Sequence, residues 1–261
     1  MIALAPNPFK AAIAAGTPQI GVWCMMPGAA HAEALATCGF DWMVIDTEHT
    51  AVELTTVLSM LQAVAPHPTH PLVRPGSNDP VEIKRILDIG ARSIVVPQIQ
   101  NAQEAARAVA AVRYPPAGIR GVAGMTRASC FGLIQDYTAH ANAEICLIVQ
   151  VETAAALQEI EAIAAVDGVD GIFIGPADLA ASMGHPGRSD HPQVEAAIDD
   201  ALRRIRTAGK PAGILLSDPA RIQAAMAAGS VFTAVDVDLG IFLRAARATA
   251  QHWQDRVGGQ T

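Results

Sequence analysis

Two carboxylates in this chain each follow a short apolar run. Glu152 ends Leu-Ile-Val-Gln-Val-Glu (147–152), and Asp178 ends Gly-Ile-Phe-Ile-Gly-Pro-Ala-Asp (171–178). Runs this short and apolar suit fully buried strands, which puts both acids at the carboxyl ends of neighbouring parallel strands. Converging carboxylates with few local cations are held in the charged form by a hard divalent ion. A Glu and an Asp, completed by water and substrate oxygens, suit Mg²⁺ or Mn²⁺. A solvated pair of acids without an ion is the competing reading. The other strand tips carry Trp23, Asp46, Glu48, His49, Arg74, Gln150 and Leu215. His49 titrates in the range a general base needs, with Asp46 a candidate to orient its ring. Arg74 would stabilise negative charge growing on a substrate oxygen, as enolate formation requires. The first amides of the helix opened by Gly175-Pro176-Ala177-Asp178 suit a substrate carboxylate. Each group has a plainer role open to it: a hydrogen-bonded loop histidine, a structural ion pair for Arg74, a core position for Trp23.

Other chemistries find less support. The three lysines, Lys10, Lys84 and Lys210, fall before the first strand, on a helix and at the amino end of a strand. None stands where a Schiff-base nucleophile would have to sit, so carbonyl activation falls to a metal. No Gly-x-Gly-x-x-Gly follows a strand, and no Ser or Cys is set beside a His as a nucleophile. The ends of the last two strands (217–219 and 236–238) lack the glycine-rich turns of a barrel phosphate site. His185 and His191 lie in the loop after the sixth strand and carry little motif value.

These residues need a scaffold that gathers strand ends into one circle. Strands are expected at 19–24, 42–45, 70–73, 93–96, 146–151, 171–174, 212–216 and 232–235, alternating with helices. A leading helix at 9–15 would plug the barrel bottom, one helix would span 154–164, and the last would span 239–253. Asn78-Asp79-Pro80 is a well-formed helix start. The pattern predicts one α/β domain over residues 1–261, a (β/α)₈ TIM barrel, with an open doubly wound sheet as the weaker choice. The glycine- and proline-rich segment 114–137 has no steady period and is expected to form a lid or binding loop.

Composition narrows the class further. The chain is 51% hydrophobic and 16% charged, enough for a large core and suggestive of surface buried in an oligomer. A net charge of −7 without basic runs argues against nucleic acid. Residues 1–16 lack the features of a signal peptide, no stretch suits a membrane span, and four scattered cysteines suit reduced thiols. A soluble cytoplasmic protein is expected.

Five ordered motifs carry a resemblance. They are Asp-Trp-Met-Val-Ile-Asp-Thr-Glu-His (41–49), Val-Arg-Pro (73–75), Arg-Tyr-Pro-Pro-Ala-Gly-Ile-Arg-Gly (113–121), Gln-Val-Glu-Thr (150–153) and Gly-Ile-Phe-Ile-Gly-Pro-Ala-Asp-Leu (171–179). From residue 21 to about 248 the chain resembles the HpcH/HpaI aldolases, class II metal-dependent pyruvate aldolases. The resemblance implies that Glu152 and Asp178 hold a divalent metal (Mg²⁺, Mn²⁺ or Co²⁺) that pyruvate chelates. It implies that Arg74 stabilises the enolate. His49, supported by Asp46 and by Asp88 across a subunit contact, handles the proton of the aldol hydroxyl. Gln150 positions the metal water or pyruvate and the amides of Ala177 and Asp178 hold the carboxylate, with Gly175 and Pro176 beside them, Trp23 and Leu215 lining the pocket and Arg127 as a further substrate contact. Expected reactants are a 4-hydroxy-2-oxo acid, pyruvate or hydroxypyruvate, and an aldehyde. The implied assembly is a homo-oligomer, a trimer of dimers with the last helix exchanged. The segment 121–132 departs from the pattern, with Met125, Cys130 and Phe131 more apolar than a dicarboxylate substrate suggests. An acyl-CoA carbon–carbon lyase and a catalytically silent scaffold are the alternatives.

Overall fold

The computed structural model describes residues 2–258. Its first half runs α1 (Pro8–Ala14), β1 (Gln19–Cys24), α2 (Ala29–Ala36), β2 (Trp42–Asp46), α3 (Leu54–Val64), β3 (His70–Arg74), α4 (Pro80–Asp88), β4 (Ser93–Val96) and α5 (Ala102–Val112). The second half runs α6 (Tyr137–Glu144), β5 (Cys146–Val151), α7 (Ala154–Leu157), α8 (Ile160–Ala164), β6 (Gly171–Ile174), α9 (Pro176–Ser182), α10 (Pro192–Thr207), β7 (Ala212–Leu215), α11 (Pro219–Ala228), β8 (Ser230–Val237) and α12 (Asp238–Gly258). The strands are parallel and close in sequence order, β8 pairing back onto β1. This is a (β/α)₈ TIM barrel.

Strand periodicity decides what reaches the mouth. Along β2, Met43 and Ile45 pack outward against helices, while Trp42 and Val44 join the interior. Asp46 shares their parity and so ends above the interior core. The same alternation carries Leu72 to Arg74 on β3, and Cys146 and Ile148 to Gln150 on β5. The bottom is closed by α1. Phe9 stacks on His70 at 5.7 Å and meets Trp42 and Phe232 at 5.8 Å each. Trp42 fits because β1 has Gly21 opposite, where a Cβ would run into the indole ring. Helix starts follow the local rules: Asp79 caps α4 through the amides of Val81 and Glu82, both 2.9 Å, and Asp218 caps α11. All four cysteines are free, and no described helix is long and apolar enough to cross a membrane.

Four expectations need correction. The helix expected at 154–164 is two pieces, because the amides of Gln158 and Glu159 bond to Ala155 and Ala156, three residues back, and break the ladder. β8 is longer than expected because its two neighbours extend it at opposite ends, Ser230 pairing with Ala212 of β7 and Val237 with Trp23 of β1. Residues 137–144, where no helix is expected, form α6, which has no amphipathic period and buries only Tyr137 and Ala141. The segment 114–137 is not a lid over this chain's own mouth. It leaves α5 and runs into α6, which leads to β5 at the amino end of the barrel, and Arg120 reaches Asp88 at the far end of α4.

Candidate active site

A cavity of about 430 Å³ opens at the carboxyl ends of the strands. Trp23, Asp46, His49, Arg74, Gln150, Gly175, Pro176, Ala177, Asp178 and Leu215 all line it, joined by Met25, Phe173 and Val237. Glu152 lies directly behind, 1% exposed.

Arg74 is the best-held side chain. Its Nε and Nη2 donate to the two oxygens of Asp46 at 2.9 and 2.7 Å, a two-pronged pairing matched to the guanidinium fork. Nη1 lies 2.8 Å from Oε2 of Glu48, and the guanidinium carbon stands 4.8 Å over the Trp23 ring. Asp46 uses two of the five N–H donors, so Arg74 keeps donors for an incoming oxygen. Burial disfavours the charge on Asp46, but Arg74, with the Glu48 amide and Trp23, outweighs it and holds this carboxyl below the usual range. Glu48 has the opposite balance: burial raises it despite Arg74 and His49.

The acid beside His49 is Glu48, not Asp46. Nε2 of His49 is 3.8 Å from Oε2 of Glu48, while the oxygens of Asp46 are taken by Arg74, Trp23 and the Glu48 amide. Glu48 stood among the strand tips in the sequence without a role. Its signal was the spacing Asp46-Thr47-Glu48-His49, which also places an acid next to the histidine. Asp88 is far from this mouth, paired with Arg120 at 2.8 Å. Arg127 also lies elsewhere. Its guanidinium donates to the carbonyls of Ile89 at 2.9 Å and Leu61 at 3.4 Å, filling the space beside Gly90. His185 and His191 stack at 3.6 Å outside the cavity.

Glu152 and Asp178 fit a metal on three observations. The Glu152 carboxyl is pushed up to about 7, chiefly by burial and further by Asp178 and Glu48, although the Gln98 amide (2.8 Å) and Gln150 donate to it. A buried acid of this kind lacks a positive partner. Gly175 lets the Glu152 carboxylate stand against the turn that carries Asp178, where a Cβ would collide with it. Gln150 turns Nε2 to Glu152 and leaves a buried Oε1 without a partner. The donors are all oxygen, the preference of a hard divalent cation.

Cys24, His31 and Asp238 form another tight group, their ligand-type atoms within 4.8 Å of one another. They make a clamp and not a metal site. Asp238 already accepts the amides of Met25 (2.9 Å) and Met26 (3.1 Å) and meets Nε2 of His31 at 2.7 Å. Burial, with Asp238 nearby, pushes the Cys24 thiol far up, so it is no nucleophile.

The model of the HpcH/HpaI aldolase/citrate lyase family matches residues 19–245. The chain belongs to this family. A pyruvate aldolase of Rhizobium etli is 54% identical over 94% of this chain and 96% of its own. A 4-hydroxy-2-oxo-heptane-1,7-dioate aldolase of Klebsiella pneumoniae is 51% identical over 94% of this chain and 92% of its own. A crystal structure of a family protein from Burkholderia cenocepacia superimposes with a TM-score of 0.92 at 42% identity, covering 95% of this chain and 99% of that one. This HpcH/HpaI family member is therefore an aldolase, a carbon–carbon lyase with small-molecule substrates.

Proposed function

We propose that the chain reversibly cleaves a 4-hydroxy-2-oxo acid to pyruvate, or hydroxypyruvate, and an aldehyde, with a divalent metal held by Glu152 and Asp178. The observation that carries this reading is the buried, cation-poor Glu152 behind a cavity that Arg74 and His49 also line. When bound, Mg²⁺, Mn²⁺ or Co²⁺ would polarise the 2-oxo group and stabilise the enolate. His49 takes the proton from the C4 hydroxyl, with Glu48 beside it to stabilise the imidazolium. The C3–C4 bond then breaks, the aldehyde leaves, and the electron pair passes into the C2–C3 enolate. Arg74 donates to the C2 oxygen as charge collects there, kept in place by Asp46. Protonation at C3 releases pyruvate. Gln150 steadies Glu152, the first amides of α9 at Ala177 and Asp178 face the substrate carboxylate, and Trp23 and Leu215 shield the site.

The same reading includes a homo-oligomer. α12 is exposed along nearly its whole length, with Phe242, Trp253 and Val257 open to solvent in the single chain. Packing on a neighbouring copy, in a trimer of dimers, would cover them. Asp88 and Arg127, both remote from their own mouth, would then serve a neighbour's site. Nothing favours an acyl-CoA substrate: among the described residues lining the mouth, Arg74 is the one guanidinium or ammonium group.

The test is deuterium exchange into the methyl group of pyruvate, followed by NMR in D₂O after chelation, with and without added metal. Exchange that returns with the metal is expected. No exchange with any divalent ion would overturn the reading.

A further inference from the structure

Glu152 is oriented in part by a residue that does not line the cavity. β4 pairs with β5 as far as Val96 opposite Val149. Pro97 then has no amide to give, and the ladder resumes at Ile99, whose amide donates to the Gln150 carbonyl at 3.0 Å. Between them Gln98 takes a left-handed conformation, with φ 58°. Its amide leaves the ladder and donates to Oε1 of Glu152 at 2.8 Å. Gln150 donates to Oε2 of the same group. One donor on each oxygen fixes the plane of the carboxylate, and each oxygen keeps a lone pair.

A left-handed turn is costly for a side chain such as glutamine. Gln98 is exposed, so burial of its side chain does not offset that cost. The surroundings hold the turn instead. Gln100 Nε2 donates to the Gln98 carbonyl at 3.2 Å, and Gln100 Oε1 accepts the Thr153 hydroxyl at 2.6 Å. The Gln100 amide is itself fixed on the Glu104 carboxylate of α5 at 2.9 Å. Gln100 therefore ties the strained turn to the residue that follows Glu152.

We infer that Gln98 and Gln100 are positioning residues of the metal centre: the turn at the tip of β4 aims the Gln98 amide at Glu152, and Gln100 braces that turn against the tip of β5. This rests on the reading of Glu152 as a metal ligand. Backbone strain persists where the surroundings over-determine it, and here they converge on one carboxylate. Outer donors of this kind orient a ligand before the ion arrives.

Calorimetric titration of the full chain with Mn²⁺, after chelation, compares variants that differ in their tolerance of the turn. Gln98→Gly suits a positive φ and Gln98→Ala matches glutamine there, so both should bind Mn²⁺ within about twofold of the unaltered chain. Gln98→Val is β-branched, resists the turn and should bind about tenfold more weakly. Gln100→Met keeps the length of the side chain, loses both polar contacts and should weaken binding by about fivefold. Combined with Gln98→Val it should cost little more, because both act through one amide; fully additive losses would overturn the brace. Equal affinities for Gln98→Gly and Gln98→Val would overturn the inference. So would a loss in Gln98→Ala that matches Gln98→Val, which would move the role to the side chain. Should Gln98→Val fail to fold, unchanged affinity in Gln100→Met overturns it alone. Glu152→Ala run alongside separates the outcomes. Mn²⁺ binding that the unaltered chain lacks, or that Glu152→Ala leaves unmoved, sinks the metal reading and this inference with it. Binding lost in Glu152→Ala but unmoved in Gln98→Val sinks only the positioning.

Discussion

Arg74 and His49 divide the work at the reacting centre according to how each is held. Arg74 is fixed at both ends of its guanidinium by Asp46 and Glu48, while the His49 side chain is 57% exposed, its Nε2 3.8 Å from Glu48. A fixed donor suits a developing oxyanion, and an exposed ring suits a proton that must be taken and returned. Arg74→Lys loses the two-pronged pairing and should lower kcat by roughly a hundredfold, as should His49→Ala. A change confined to KM would make either residue a binding group. His70, at the barrel bottom, sets an acid limit on folding. Burial lowers it from 6.5 to about 4, and its Nε2 meets Ser93 Oγ at 2.8 Å. The unfolded chain therefore takes up this proton first. Stability from His70 is fully present above about pH 6.5 and falls as the pH drops toward 4, by about 2 kcal/mol at pH 5. Urea unfolding at pH 8 and pH 5 should show that loss, and His70→Gln should lack this part of it.

At the scale of the element, the join of β6 and α9 matters most. β6 is four buried residues, and Gly175 is the hinge between it and the proline that starts α9. The missing Cβ at Gly175 is what lets the Glu152 carboxylate stand beside this turn. Gly175→Ala would push Glu152 and Gln150 aside while leaving the strand and helix intact. It should weaken Mn²⁺ binding by about tenfold or more in a calorimetric titration. Unchanged affinity would separate Glu152 from the metal. Strand parity made most of this arrangement legible in the sequence: Trp23, Asp46, Arg74, Gln150 and Leu215 follow interior residues two positions earlier. Arg127 was not legible, because the irregular segment around it has no period from which to assign its face.

For the whole molecule, α12 is the unresolved account of surface. A 21-residue helix carrying Phe242 (54% exposed) and Trp253 (58%) covers little of its own barrel. Light scattering behind size exclusion should give a mass several times 27.2 kDa, six copies on the reading proposed above. Phe242→Asp with Trp253→Asp should reduce it. A unit of 27.2 kDa for the unaltered chain would end the proposed assembly.

What the sequence determined by itself was the alternation of strands and helices, the residues at the strand tips and the acid pair Glu152 and Asp178. These follow from local rules: a period of two along a buried strand, capping acids before prolines, and the place of strand ends in a parallel barrel. Only the tertiary structure decided which acid meets which base. Asp46 and Arg74 are 28 positions apart and become partners through the β2–β3 register. That pairing takes Asp46 from His49 and leaves the neighbouring Glu48 in its place. The clamp at Asp238 depends on closure of the barrel, which brings residues 25 and 238 together. Side-chain partnerships across such distances depend on register and closure, which no local pattern encodes.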